Sequence, residues 1–138
     1  MSINYSIRKK VDKTKEEVKE LYYAVPVAVQ SRGGINEVEL AEDIHDQSSL
    51  SAGDVLSALE QLPNIIARHL KDGRTVTIRG LGTFYPALSS EGFETPEECT
   101  PNKVRLTRIC FRADKKFSNT VKSCNFNSFH LETLRKKK

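Results

Sequence analysis

The chain has 138 residues, 22 Lys and Arg against 18 Asp and Glu, a net charge of +4, and a hydrophobic share of 38%. That length suits one domain with one modest core. No window nears the ~20 apolar residues of a membrane span, and the polar, basic stretch 1–10 does not read as a secretory signal, so neither a membrane nor an exported protein is expected.

In chain order, Ile3, Tyr5 and Ile7 alternate with polar residues and predict a strand. The charged stretch Asp12 to Glu20 predicts a helical turn or two. Leu21 to Val29 is apolar and predicts a second strand, with Pro26 marking it as an edge. Ser31-Arg32-Gly33-Gly34 reads as a linker. Residues 1–34 therefore form an appended strand pair, too short to close a core alone.

From Ile35 the period becomes helical. Val38, Leu40, Ala41 and Ile44 share a stripe, with Asn36 as N-cap and Glu39 as its capping-box partner. Ser51 caps a second helix whose apolar residues Val55, Leu59, Leu62, Ile66 and Leu70 recur at helical spacing until Gly73. Leu56, Ala58 and Ile65 widen that stripe, so the helix needs burial on more than one side. Pro63 removes an amide and predicts a kink or a break. Arg74 to Arg79 and Thr83 to Leu88 predict two strands about the turn Gly80-Leu81-Gly82. Residues 89–102 are loop-like. Lys103 to Arg112 predicts a third strand, Asp114 caps a short helix, and residues 124–138 read as a frayed basic tail.

Charge is segregated along this order. Residues 36–64 carry seven acidic and no basic side chains, whereas residues 103–138 carry eleven basic and two acidic ones. Such a basic end suits a polyanion, because Lys and Arg gain affinity by displacing counterions from phosphates. A merely solvated end would look the same.

Catalytic and metal signatures are missing. His45, His69 and His130, and Cys99, Cys110 and Cys124, show no metal-ligand spacing; the cysteines also suggest no disulfide framework and a reducing cytoplasm. No phosphate-cradling loop follows Gly80, and no nucleophile elbow occurs. No enzyme, cofactor, metal or small-molecule substrate is expected.

One pattern is far more specific. Ile35-Asn36-Glu37-Val38-Glu39-Leu40-Ala41, Leu50-Ser51-Ala52-Gly53-Asp54-Val55, Leu70-Lys71-Asp72-Gly73, Val76, Ile78 and Gly80-Leu81-Gly82-Thr83-Phe84 together resemble the bacterial HU/IHF histone-like proteins. The likeness runs without a gap from Ile35 to Phe84 and resumes at Phe111-Arg112. The stretch Tyr22-Tyr23-Ala24-Val25-Pro26-Val27 is similar to the divergent HU-like branch of the Bacteroidetes.

The resemblance implies an α+β fold: a helix-turn-helix base under a three-stranded antiparallel sheet with an arm, then a short C-terminal helix. It places an HU-like domain at 35–123, between the strand extension 1–34 and the tail 124–138. It implies an intertwined homodimer, with Leu59, Leu62, Ile66, Leu81, Phe84 and Phe111 as core and interface. It also implies sequence-nonspecific, architectural binding of double-stranded DNA in the cytoplasmic nucleoid. DNA contacts would fall on Arg74, Arg79, Lys103, Arg105, Arg108, Arg112, Lys115 and Lys116, and Pro96 lies where an arm-tip wedge would fall.

The sequence departs from that pattern in its arm. Residues 85–102 hold Glu91, Glu94, Glu97 and Glu98 and no Lys or Arg, and carboxylates beside phosphates repel. Two rivals follow: an HU scaffold that dimerises and contacts protein instead of DNA, and an RNA-binding protein.

Overall fold

The computed structural model describes residues 2–12, 16–27 and 34–128. Its elements run β1 (Ser2–Asp12), β2 (Lys19–Pro26), α1 (Glu37–Gln47), α2 (Ala52–Lys71), β3 (Val76–Ile78), β4 (Gly82–Ser89), β5 (Arg105–Ala113), α3 (Lys115–Lys122) and β6 (Asn125–Ser128). They fall into two units, one of Asn36–Val121 and one of the two chain ends, Met1–Ile35 with Lys122–Lys138.

The helical pair begins as its caps dictate. Asn36 Oδ1 accepts from the amides of Val38 and Glu39 at 3.1 and 3.0 Å, with Glu37 and Glu39 at the positive end of the helix. Ser51 Oγ accepts from the Asp54 amide and donates to Asp54 Oδ2 at 2.6 Å. Between the helices, His45 Nδ1 lies 2.7 Å from the Leu50 carbonyl. This bond fastens the turn.

Helix α2 runs unbroken through Pro63. The proline removes one rung of the ladder, but about three turns precede it and about two follow, enough to carry the helix across. Of the kink or break expected there, the break does not occur.

Strands β3, β4 and β5 make an antiparallel sheet in that order. Gly73 and Gly80 take positive φ of 74° and 80° at the two turns that lead into it. Gly82 is required for another reason. A Cβ there would lie 2.4 Å from the Arg112 carbonyl oxygen and 2.6 Å from Cζ of Phe111. Gly82→Ala should therefore destabilise the fold by about 1–3 kcal/mol, read as a lowered denaturation midpoint, because the clash is with backbone and a packed ring. Unchanged stability would show that the sheet can yield there. Pro86 lies past the end of β3, where only one side of β4 is paired, a setting that tolerates a strand proline.

The hairpin of β4 and β5 ends at the pair Ser89↔Arg105. Residues 90–104 do not extend the strands into a long arm. They fold into two 3-10 turns, Pro96–Glu98 and Pro101–Lys103. Two prolines and Gly92 explain this, since proline cannot donate to a ladder and glycine weakens one. Lys103, expected on a strand, closes the second turn.

The chain ends supply the other sheet, ordered β2-β1-β6. β1 and β2 form an antiparallel hairpin, and no helix occurs among the described residues of 12–20. β2 is an edge strand, as Pro26 suggests. The tail predicted to fray from residue 124 instead begins with β6, parallel to Ser2–Tyr5 of β1. Asn-Phe-Asn-Ser carries a single apolar residue, so its own pattern gives no strand signal. An open backbone edge more than a hundred residues away in sequence recruits it. The basic run Arg135 to Lys138, His130, Val29 and most of the linker lie outside the described residues.

Candidate nucleic-acid interface

The register of the β3-β4-β5 sheet sorts its side chains, because directly opposed partners share a face. One face takes Phe84↔Phe111, Pro86↔Ile109 and Leu88↔Leu106. The other takes Thr77↔Thr83, Thr83↔Arg112, Tyr85↔Cys110, Ala87↔Arg108 and Ser89↔Arg105. The Thr77 and Thr83 hydroxyls lie 3.0 Å apart, consistent with that assignment.

The first face is apolar and turned to α2. Phe84, Pro86, Leu106 and Ile109 line a groove of about 510 Å³ with Leu59, Leu62, Pro63, Ile66 and Ala67. Leu59, Leu62, Ile66 and Phe84 thus meet as the resemblance implies. Phe111 does not line the groove but packs against Phe84, ring centroids 4.9 Å apart. Leu81 sits in the turn, where its carbonyl accepts from the Asp114 amide at 2.8 Å. Little of this is buried: among the described residues only Ala41, Val55 and Leu70 form a buried apolar core, and Leu106, Ile109 and Phe111 are 58%, 49% and 44% exposed.

The second face is polar and basic, on the side away from α2. Arg108 and Arg112 fall there by simple alternation. Arg105, an odd step away, would point the other way in a regular strand. The register shifts between Ala87 and Leu88, so β5 carries one extra residue, Thr107, whose hydroxyl donates to the Ala87 carbonyl at 3.0 Å. This bulge returns Arg105 to the face of Arg108 and Arg112. Thr77, Thr83 and Tyr85 share that face and were not singled out in the sequence. Their alternation along β3 and β4 with the apolar Val76, Ile78, Phe84 and Pro86 was the signal that could have found them.

The remaining candidates are dispersed. Arg74 and Arg79 lie in the turns before and after β3. Lys115 and Lys116 occupy the first turn of α3, whose start is capped by Asp114 Oδ1 accepting from the Lys116 amide at 2.9 Å. Lys103 is held within the loop: its Nζ donates to the Glu98 carbonyl at 3.1 Å and stands 4.9 Å from the Phe93 ring centroid. Pro96 opens the first 3-10 turn, with the Cys99 amide donating to its carbonyl. Among the described residues, none of these eight cations enters an ion pair, no cluster of possible metal ligands occurs, and no helix is long and apolar enough to cross a membrane.

Comparison with known proteins bears on this geometry. Over 57 residues the chain is 35% identical to DNA-binding protein HU-beta 2 of Neisseria meningitidis, a match covering 41% of this chain and 63% of that protein. DNA-binding protein HU-beta of the same species is 39% identical over 51 residues, 37% of this chain and 57% of its own length. The chain thus spans about three fifths of these relatives. A crystal structure described as a bacterial DNA-binding protein from Bacteroides vulgatus matches the fold with a TM-score of 0.58 at 10% identity, over 93% of this chain and 48% of that one. A family model described as "HU domain fused to wHTH, Ig, or Glycine-rich motif" matches residues 1–128. The chain therefore belongs to this HU-HIG family, a non-enzymatic family related to the DNA-binding HU proteins.

Proposed function

We propose that the protein is a sequence-nonspecific, architectural binder of duplex DNA, acting as a homodimer in the nucleoid. The observation that carries this reading is the β5 face, where a bulge brings Arg105, Arg108 and Arg112 to one side, away from the acidic helices. Three guanidiniums free of ion pairs among the described residues suit a row of phosphates better than base edges, so DNA shape and flexibility would govern position. Lys115 and Lys116 support it: cations at the positive end of a helix oppose its dipole, so helix stability does not account for them. Arg74 and Arg79 are further phosphate contacts, Lys103 stabilises the loop, and Pro96 is a turn proline rather than a wedge.

The homodimer rests on the uncovered groove along α2, β4 and β5, which a second copy would close. A second reading, a dimeric HU scaffold that contacts protein, is favoured by one feature: the glutamate-rich loop folded into its two 3-10 turns.

A salt titration of duplex binding tests the main reading. Affinity should fall steeply with salt, by roughly 0.9 in the log–log slope for each phosphate contacted, and alike for unrelated sequences. No duplex binding at low salt would favour the protein-contact reading. Glu94→Gln, Glu97→Gln and Glu98→Gln combined should leave affinity unchanged if the loop stays clear of DNA. A carboxylate about 8 Å from a phosphate costs roughly 2 kcal/mol at an effective dielectric of ~20, before screening. A clear gain in affinity would therefore place the loop beside the DNA.

A further inference from the structure

The sheet formed by the chain ends has two unlike faces. By register, Ile3, Ile7 and Val11 share one face with Tyr22, Ala24 and Phe126. Arg8 and Lys10 share the other with Leu21, Tyr23, Val25, Asn125 and Asn127. The bond from Asn127 Nδ2 to Ser2 Oγ, 2.8 Å, agrees with this sorting.

The three consecutive cations of β1 are consequently not equivalent. Lys9 points to the apolar face, where Glu20 pairs with it. Arg8 and Lys10 point to the polar face and enter no ion pair among the described residues. Lys10 Nζ stands 5.8 Å from the Tyr23 ring centroid, a cation–π contact that props the ammonium above the sheet. At the far end of this face Lys19 has its Nζ 4.0 Å from Glu17, whereas Arg8 and Lys10 add two positive charges with no ion pair among the described residues. Residues two apart on a strand are about 7 Å apart, close to the separation of neighbouring phosphates on one DNA strand.

We propose that this polar face, through Arg8 and Lys10, is a second surface contacting the phosphates of duplex DNA, additional to the arginines of β5. The inference rests on the DNA-binding reading above. It gives the appended sheet a role in affinity, with no role in base recognition.

The test compares charge-matched changes on the two faces of β1 in the full chain, by fluorescence anisotropy of a labelled duplex over a range of salt. Arg8→Gln with Lys10→Gln should lower the log–log salt slope by about 2 per chain. Arg8→Lys with Lys10→Arg should restore it, which separates lost charge from lost folding. Lys9→Gln, on the opposite face, should leave the slope as in the wild type. The proposal is overturned if the double Gln variant binds duplex like the wild type, if the charge-preserving variant fails to restore binding, or if Lys9→Gln costs as much as either neighbour. Loss confined to an RNA probe would overturn it as well. A wild-type chain that binds no duplex would instead remove the underlying DNA reading, so the two failures are distinguishable.

Discussion

Leu62→Asp or Phe84→Asp should unfold the protein rather than release a stable monomer. The two side chains line the same groove along α2 and β4. Only three apolar side chains are buried among the described residues, too few for a unit of this size to stand alone. A second copy seated in the groove would cover Leu106 and Ile109 as well, each worth roughly 1.5–3 kcal/mol when fully buried. If folding and association are one event, stability depends on protein concentration and no folded monomer exists to be released. Light scattering of the wild type should give twice the 15.6 kDa of one chain, and the denaturation midpoint should rise with concentration. Either Asp variant should lose its far-ultraviolet circular dichroism at micromolar concentration. A folded, monomeric Asp variant would mean that the groove is closed some other way.

Legibility in the sequence followed the range of the interactions. The caps Asn36, Ser51 and Asp114 are local hydrogen-bonding devices, and each stands where its residue type and neighbours indicate. The period of α2 and the Gly80-Leu81-Gly82 turn are local too. Misreadings arose where distant or competing forces decide. Pro63 could kink or break its helix, and the turns on either side carry the helix through, so no break occurs. Asn125–Ser128 has no strand pattern of its own and is a strand only because β1 offers it an edge. Within the candidate site, Arg108 and Arg112 could be assigned one face by parity, but the alignment of Arg105 depends on Thr107 being an extra residue. That depends on the pairing of β4 with β5, which no reading of β5 alone contains.

Arg105→Ala, Arg108→Ala and Arg112→Ala combined should cause the largest loss of DNA affinity of any change to the β5 face. Each guanidinium that neutralises a phosphate releases condensed counterions, and the three stand on one side of one strand, so they can engage a backbone together. In a homodimer the change removes six such contacts, which should lower the log–log salt slope by about 5 and weaken binding at ~0.1 M salt by at least a hundredfold. The loss should be uniform across sequences, because phosphate contacts carry no base information. Stability should change little, as the three side chains are exposed and form no ion pair among the described residues. Arg105→Ala alone is the more discriminating arm, since only the bulge turns it toward the others. Deleting Thr107, the extra residue, leaves Arg105 two positions from Arg108 in a regular strand and so on the same face, and that variant should keep the affinity of the wild type. If that deletion instead loses as much affinity as Arg105→Ala, the face shared with Arg108 is not what brings Arg105 to DNA. A triple variant that loses affinity for a single sequence only would point to base readout instead.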